Sequence, residues 1–245
     1  MILEDRFDQA ASHHRMAKAH AVHRFAVACT SLAGREMTSL NAGAASHPAS
    51  TIKLAILAEA FHAASGSRLA LDDRLEVFNR FSSLADGSPY QLDPADDADP
   101  GLYASAGGQT TVLELLRHRV GQGSNLAANL LLDRLGADQV TAFMRSLGAS
   151  ELVVRRWVQG LRAYERGLNN STKAGALQVL LLSLARGELV SPSASQARIG
   201  LLLQVRSREA IAELLPEEVS VAHKRGWTEA VYHDAAIVTP PERDP

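Results

Sequence analysis

The serine and lysine of the segment "STIK" carry the clearest chemical signal in this 245-residue chain. Ser50 and Lys53 are three residues apart, so on a helix their side chains share one face. A serine hydroxyl is a weak nucleophile until a base removes its proton, and a lysine whose ammonium form is disfavoured by burial can be that base. A helix amino terminus also directs N–H groups and the positive end of a dipole toward a developing oxyanion.

The same segment has a simpler interpretation as an ordinary helix start. Serine is a preferred N-cap residue, and a lysine in the first turn is commonly solvated. The residues around the motif favour a buried helix start, because Pro48 precedes the serine and the apolar run "LAILAEA" follows the lysine. The motif alone leaves both interpretations open.

The elements that must position this segment are strands near the chain ends and helices between them. Residues 22–30 and 36–40 are strand-like, and so are residues 219–227 and 231–240, which predicts two hairpins. Apolar residues recur at helical spacing between Ser50 and Ala64 and again between residues 111 and 206. The acidic segment "QLDPADDADPGL" in the Gly- and Pro-rich middle region is expected to be a solvated loop.

This order predicts an α+β protein. We expect residues 1–48 and 190–245 to form a lobe with an antiparallel sheet built from both chain ends and flanked by helices. Residues 49–189 would form a helical lobe that carries Ser50 and Asn125.

Composition narrows the classes of function. The chain is 46% hydrophobic with a net charge of -2, and it has no basic run, so we expect a globular protein without a nucleic-acid partner. Cys29 has no second cysteine to pair with and is expected to be buried in a strand. Neither the acidic segment nor the histidines at 13, 14, 20 and 23 have metal-ligand spacing, so no cofactor is expected.

The amino terminus lacks the basic start and apolar core of a signal peptide, and no later segment is long enough to span a bilayer. We expect a soluble, cytoplasmic chain, or a secreted or periplasmic protein if an export signal has been removed.

Two later segments, "GQGSNLAANLLLDRLG" and "VAHKRGWTEAVYHDAAIV", stand in order after "STIK". Together the three resemble the S-x-x-K, S-D-N and K-T-G elements of class A β-lactamases and related penicillin-binding serine hydrolases. The resemblance extends from about residue 22 to residue 240. It implies a β-lactamase-like fold and a serine hydrolase whose substrate is a β-lactam or another amide or ester.

The resemblance also implies roles for individual residues. Ser50 would form an acyl-enzyme and Lys53 would transfer protons. Asn125 would bind a substrate amide and the lysine, and Lys224 would hold a substrate carboxylate. The N–H of Ser50, with one from the strand after "KRG", would form the oxyanion hole, so Gly226 is a substrate-binding candidate.

The chain departs from the family pattern at several positions. Gly123 stands where the family has a hydroxyl that delivers a proton, so Ser124, at the aspartate position, would have to take over that role. Arg225 replaces the K-T-G threonine and adds a bidentate donor for substrate. Glu165 and Asn169 have the E-x-x-x-N spacing of a deacylation site on a shortened loop, or Glu165 is a solvated residue beside two arginines.

Two further alternatives follow. The family continues past the second late strand, whereas this chain ends at "TPPERDP", so an exposed sheet edge is expected to be covered by the amino-terminal segment or by a second copy in a homodimer, unless the chain is a shortened relative. For function, the alternatives are an esterase or amidase that does not act on β-lactams, and a penicillin-binding-type protein with impaired turnover.

Overall fold

The computed structural model describes residues 24–120, 122–189, 200 and 209–241. The helices are α1 (Lys53–Ser65), α2 (Val112–Glu114, continued as a π-helix over Leu115–Val120), α3 (Asn125–Leu135), α4 (Ala137–Ser146), α5 (Leu161–Glu165) and α6 (Ala174–Ala185). The strands are β1 (Val27–Thr30), β2 (Glu36–Leu40), β3 (Arg74–Glu76), β4 (Phe81–Ser82), β5 (Pro89–Tyr90), β6 (Gln109–Thr111), β7 (Ser220–Trp227) and β8 (Tyr232–Thr239). Short 3-10 helices cover Ala49–Ile52, Pro94–Asp96, Pro100–Ser105 and Ala210–Leu214.

Helix α1 lies at the centre of the molecule. Its sequence is almost wholly apolar, and residues 53–61 are all buried. It packs against α3 and α4, whose apolar residues complete the same core. A helix that is apolar on every side is stable only when it is buried on every side. The first turn of α1 is therefore buried inside the protein.

Helix α3 starts and stops at residues suited to helix ends. The Ser124 hydroxyl accepts a hydrogen bond from the Ala127 N–H at 3.2 Å and so caps the first turn. At the other end, Gly136 has a φ of +84°, which a residue with a side chain rarely adopts.

Strands from both ends of the chain form antiparallel hairpins. β1 pairs with β2, and β7 pairs with β8 in a register that places Lys224 opposite Ala235 and Gly226 opposite His233. Within the residues described, each hairpin pairs only with itself, and both β1 and β8 pack on α6. The division into a sheet lobe and a helical lobe stays a prediction.

Two expectations from the sequence were wrong. Cys29 lies in β1 but is exposed, because a two-stranded hairpin leaves one face of its strands in solvent. The segment "QLDPADDADPGL" is not solvated throughout: Asp97 is buried, with 8% of its surface exposed, and hydrogen bonds to the amino terminus of α3. The four amino-terminal histidines, and all of the expected helix over residues 193–205 except residue 200, lie outside the described residues.

No helix among the residues placed here combines the length and the apolar character needed to cross a membrane.

Candidate functional site

Ser50 lies in the 3-10 helix that leads into α1, on a backbone that is constrained on both sides. Ala49 has a φ of +47°, a left-handed conformation that costs on the order of 1–3 kcal/mol in a residue with a side chain. Its N–H donates to His47 Nδ1 at 3.1 Å, and the Thr51 hydroxyl donates to the Pro48 carbonyl at 2.6 Å. The orientation of Ser50 is therefore set by its neighbours before any ligand binds.

The His47 ring that holds this turn is neutral. Burial lowers the pKa of His47 to about 4, and the nearby positive charge of Arg156 and the His233 ring act in the same direction. A neutral ring leaves Nδ1 free to accept the Ala49 N–H. His47 was not singled out by sequence motifs, because its role depends on a backbone contact.

The amine of Lys53 is surrounded by three oxygens. Nζ donates to the Gly123 carbonyl and to Asn125 Oδ1 at 2.8 Å, and it lies 3.3 Å from Ser50 Oγ. A neutral amine has two N–H groups and one lone pair. The two carbonyl oxygens can only accept, so they take the two N–H groups and leave the lone pair directed at the serine hydroxyl. That is the arrangement a general base requires.

Electrostatics favour the neutral amine at this position. Only 1% of the Lys53 surface is exposed, and burial, assisted by the positive charge of Lys224, lowers the pKa of Lys53 to about 7. The negative charge of Asp97 opposes that shift. Burial, assisted by Arg225, also lowers the pKa of Lys224, to about 8, against the opposing effect of Asp234. Burial therefore shifts both amines toward their neutral forms, and it shifts Lys53 further than Lys224.

Strand β7 approaches the serine closely where it carries a glycine. A methyl group on Gly226 would lie 2.6 Å from the Ser50 nitrogen and 2.9 Å from the Thr51 nitrogen, which is closer than real contacts allow. The first N–H groups of a helix have no acceptor within that helix. The glycine thus keeps side chains away from the Ser50 N–H, where a carbonyl oxygen can bind.

Gly123 has no side chain, and this leaves space between the start of α3 and β7. A side chain there would begin 3.5 Å from Lys224 Nζ and 3.3 Å from the Ala98 side chain. Its φ of +110° is one that residues with side chains rarely adopt. In this conformation the Gly123 carbonyl, rather than a side chain, contacts Lys53.

Two of the residues singled out from sequence are engaged away from Lys53. The Ser124 hydroxyl is buried, caps α3 and lies 3.4 Å from Asp97 Oδ2. Arg225 forms an ion pair with Glu209. Since successive side chains of a strand point to opposite faces, Arg225 is directed away from the face that carries Lys224.

The predicted deacylation residues lie on a loop closed by the backbone bridge between Val153 and Ser171. Glu165 is the last residue of α5 and is exposed. Asn169 donates to the Tyr164 carbonyl at 3.4 Å and lies 3.5 Å from the Arg156 guanidinium. Neither contact joins the loop to Lys53.

A different residue of this loop is held against α3. Asn129 Oδ1 accepts the Val158 N–H at 2.7 Å, and Asn129 Nδ2 donates to the Val158 carbonyl at 3.2 Å. Asn129 is four residues after Asn125, so both amides project from the same face of α3. The four-residue spacing of the two asparagines can be read from the sequence, but the contact between Asn129 and Val158 cannot. The loop residue that Asn129 binds is Val158, whose side chain can act neither as an acid nor as a base.

Together these groups are suited to acyl transfer. They supply a hydroxyl nucleophile, a buried amine 3.3 Å from that hydroxyl, an N–H at a helix start and a lysine on the neighbouring strand that can bind an anion. No cluster of three or more potential metal ligands occurs in the described part of the chain.

Comparisons with known proteins agree with this geometry. The family model described as "Beta-lactamase enzyme family" matches residues 9–245. A β-lactamase of Streptomyces lavendulae is 32% identical over 149 residues, which are 59% of this chain and 49% of that protein. The chain spans about half the length of the curated relatives it matches.

Two solved structures have the same fold. An ancestral class A β-lactamase, that of the last common ancestor of Gram-negative bacteria, is 26% identical with a TM-score of 0.74, over 90% of this chain and 82% of that one. The protein PBP-A is 22% identical with a TM-score of 0.72, over 98% of this chain and 83% of its own. The resemblance and the α+β fold predicted from the sequence are confirmed, and the chain belongs to the β-lactamase enzyme family.

Proposed function

We propose that this chain is a serine hydrolase that forms an acyl-enzyme on Ser50 with a β-lactam or a related amide or ester. The observation that carries the proposal is the environment of Lys53, a buried amine that donates to two carbonyl oxygens and lies 3.3 Å from Ser50 Oγ. In the neutral form of this amine, the two carbonyl oxygens take both N–H groups and the lone pair is left for the serine hydroxyl. Family membership supports the β-lactam as the substrate class.

In the proposed reaction, Lys53 removes the Ser50 hydroxyl proton while Oγ forms a bond to the substrate carbonyl carbon. The carbonyl oxygen becomes an oxyanion bound by the Ser50 N–H and by backbone N–H on the strand beside Gly226. Collapse of the tetrahedral intermediate breaks the C–N or C–O bond. Lys53 carries the proton that the leaving group needs, and Ser124 delivers it only if its hydroxyl leaves the α3 cap.

Substrate binding is assigned to the polar groups around the two lysines. The Lys224 cation pairs with a substrate carboxylate, and Asn125 binds a substrate amide while it holds Lys53. The backbone beside Gly226 binds the substrate carbonyl. Arg225 contributes to binding only if its ion pair with Glu209 opens, and Asn169 only if the loop that carries it moves toward the lysines.

The proposal is tested by intact-protein mass spectrometry after incubation with benzylpenicillin and, separately, with a nitrophenyl ester. We expect the native chain to gain the mass of the acyl group and Ser50→Ala to gain none, because no other hydroxyl faces Lys53 in the described structure. Ser39→Ala, which changes an exposed serine of β2, serves as the matched serine control for the site of acylation. An adduct of equal yield on Ser50→Ala would contradict the assignment of the nucleophile.

A second candidate is an acylating protein of the penicillin-binding type that releases its product slowly. The observation that favours it is the loop, where Val158 is held against α3 and Glu165 is exposed. The same time course separates the two candidates, because a hydrolase loses the adduct with time and an acylating binder retains it. Slower loss in Glu165→Gln than in the native chain would support the predicted role of Glu165 in deacylation.

The rate of acylation should depend on pH as a bell-shaped curve. Acylation needs a neutral Lys53, so the rate rises as pH increases through about 7, and carboxylate binding needs a charged Lys224, so the rate falls as pH increases through about 8. Because the two lysines interact, the apparent values belong to the pair.

An ester without a carboxylate is the control for this curve. It should retain the rise on the acidic side and lose the fall on the basic side. Stopped-flow acylation rates over this pH range would measure both curves, and a fall that persists with the uncharged ester would rule out the role of Lys224 in carboxylate binding.

Two finer points remain predictions. β8 pairs only with β7 in the part of the chain that is described, which is consistent with the expected pairing of two copies through an open sheet edge. Location in the cytoplasm, or outside it if an export signal has been removed, is likewise a prediction.

A further inference from the structure

The carboxylate of Asp97 binds the amino terminus of α3 from a distant part of the chain. Its Oδ2 accepts the N–H groups of Asn125 and Leu126, each at 2.9 Å, and the Tyr103 hydroxyl at 2.8 Å. The Ser124 hydroxyl lies 3.4 Å from the same oxygen. A carboxylate that accepts several N–H groups at a helix amino terminus is held firmly in place.

These contacts converge on Asn125. Asp97 accepts its backbone N–H, and the preceding residue, Asp96, accepts the Asn125 side-chain Nδ2 at 3.2 Å through its carbonyl. Both the main chain and the amide of Asn125 are thereby fixed by one short loop segment. The remaining polar atom of the amide, Oδ1, is directed at Lys53 Nζ.

The S-D-N pattern would place a carboxylate in this same segment, at the position that Ser124 occupies. In this chain a carboxylate near that position comes from residue 97, 27 residues earlier, and its Oδ2 lies 3.4 Å from the Ser124 hydroxyl. The loop that supplies it was expected from composition to be solvated.

We propose that Asp97 is a positioning residue for the acylation of Ser50, which fixes Asn125 and through it the amine of Lys53. The inference rests on the function proposed above. Two charged groups act on Lys53, Lys224 from β7 and Asp97 from its loop, and they act in opposite directions. Asp97 therefore has both a geometric and an electrostatic effect on the base.

The test compares Asp97→Asn with Asp93→Asn, which removes the same charge from an exposed position in the same loop. We expect Asp97→Asn to slow acylation by benzylpenicillin about 10- to 100-fold, the loss expected for charge-assisted hydrogen bonds. We also expect the acidic side of its pH profile to move to lower pH, because removal of a nearby negative charge lowers the pKa of Lys53. Asp93→Asn should change neither.

A second measurement does not depend on activity. NMR titration of protein labelled with ¹³C at lysine Cε reports the pKa of Lys53 directly, and it should fall in Asp97→Asn but not in Asp93→Asn. This readout separates failure of the present inference from failure of the proposed function, since it holds even if no probe acylates Ser50. Slower acylation of Asp97→Asn with an unchanged pH profile and an unchanged Lys53 pKa would reduce Asp97 to a structural role and overturn the inference.

If Asp97→Asn does not fold, Tyr103→Phe replaces it. This variant leaves the carboxylate charged but removes one of its donors. It should slow acylation about 2- to 10-fold, the effect of one ordinary hydrogen bond. Acylation at the native rate in Tyr103→Phe would then overturn the inference.

Discussion

Replacement of Lys53 with methionine should slow acylation of Ser50 by about 10²- to 10⁴-fold, the range that general base catalysis contributes. Methionine has nearly the same length as lysine and fills the same buried space without a lone pair that can accept the Ser50 proton. The serine itself remains on its constrained turn, so the variant separates the base from the nucleophile. The rate of adduct formation with benzylpenicillin, followed by mass spectrometry, measures the effect.

Lys173→Met is the matched control for this substitution. Lys173 precedes α6 and pairs at 3.8 Å with Glu151, and it has no contact with Ser50 among the hydrogen bonds of the described chain. We expect the Lys173→Met variant to be acylated at the native rate. If Lys53→Met also acylated at that rate, another group would have to remove the serine proton, and the proposed mechanism would be wrong.

The second large effect is expected from Gly226→Ala. The added methyl group would lie 2.6 Å from the Ser50 nitrogen, so either β7 or the helix start must move. Both movements disturb the space where the substrate carbonyl oxygen binds the Ser50 N–H. Loss of one oxyanion donor typically costs about 10²- to 10³-fold in rate, and we expect a loss of that size.

Gly43→Ala is the control for the backbone effect of replacing a glycine, because a methyl group at that position has no atom within 4 Å. Acylation rates and midpoints of urea unfolding should be measured for both variants. An unaltered acylation rate in Gly226→Ala would show that the N–H of Ser50 does not bind the carbonyl oxygen.

Much of the site could be predicted from the sequence because Ser50 and Lys53 lie close together along the chain. The spacing of Ser50 and Lys53 follows from the period of a helix, and the apolar run after them predicts that this helix is buried. The hairpins could be located from strand-like runs: β2 spans Glu36–Leu40 as expected, and β7 and β8 lie within the expected runs. The order of three motifs was enough to identify the family.

The residues that control Lys53 could not be predicted in the same way. The Gly123 carbonyl is a backbone group and has no signature in a sequence motif. Asp97 belongs to an acidic segment whose composition is that of a solvated loop, and its burial depends on donors that come from α3 and from Tyr103. Cys29 was misassigned for the converse reason, since an apolar run indicates a strand but not which face is covered.

The sequence by itself determined the nucleophile candidate, the spacing of the lysine from it and the family. Only the tertiary structure decided that the lysine amine is buried, that two carbonyl oxygens accept hydrogen bonds from it and that a distant carboxylate binds the backbone N–H of the asparagine beside it. The physical reason is the distance along the chain over which each kind of interaction acts. Helical period and apolar patterning act between residues a few positions apart, whereas burial and hydrogen bonding depend on groups that packing brings together from distant parts of the chain.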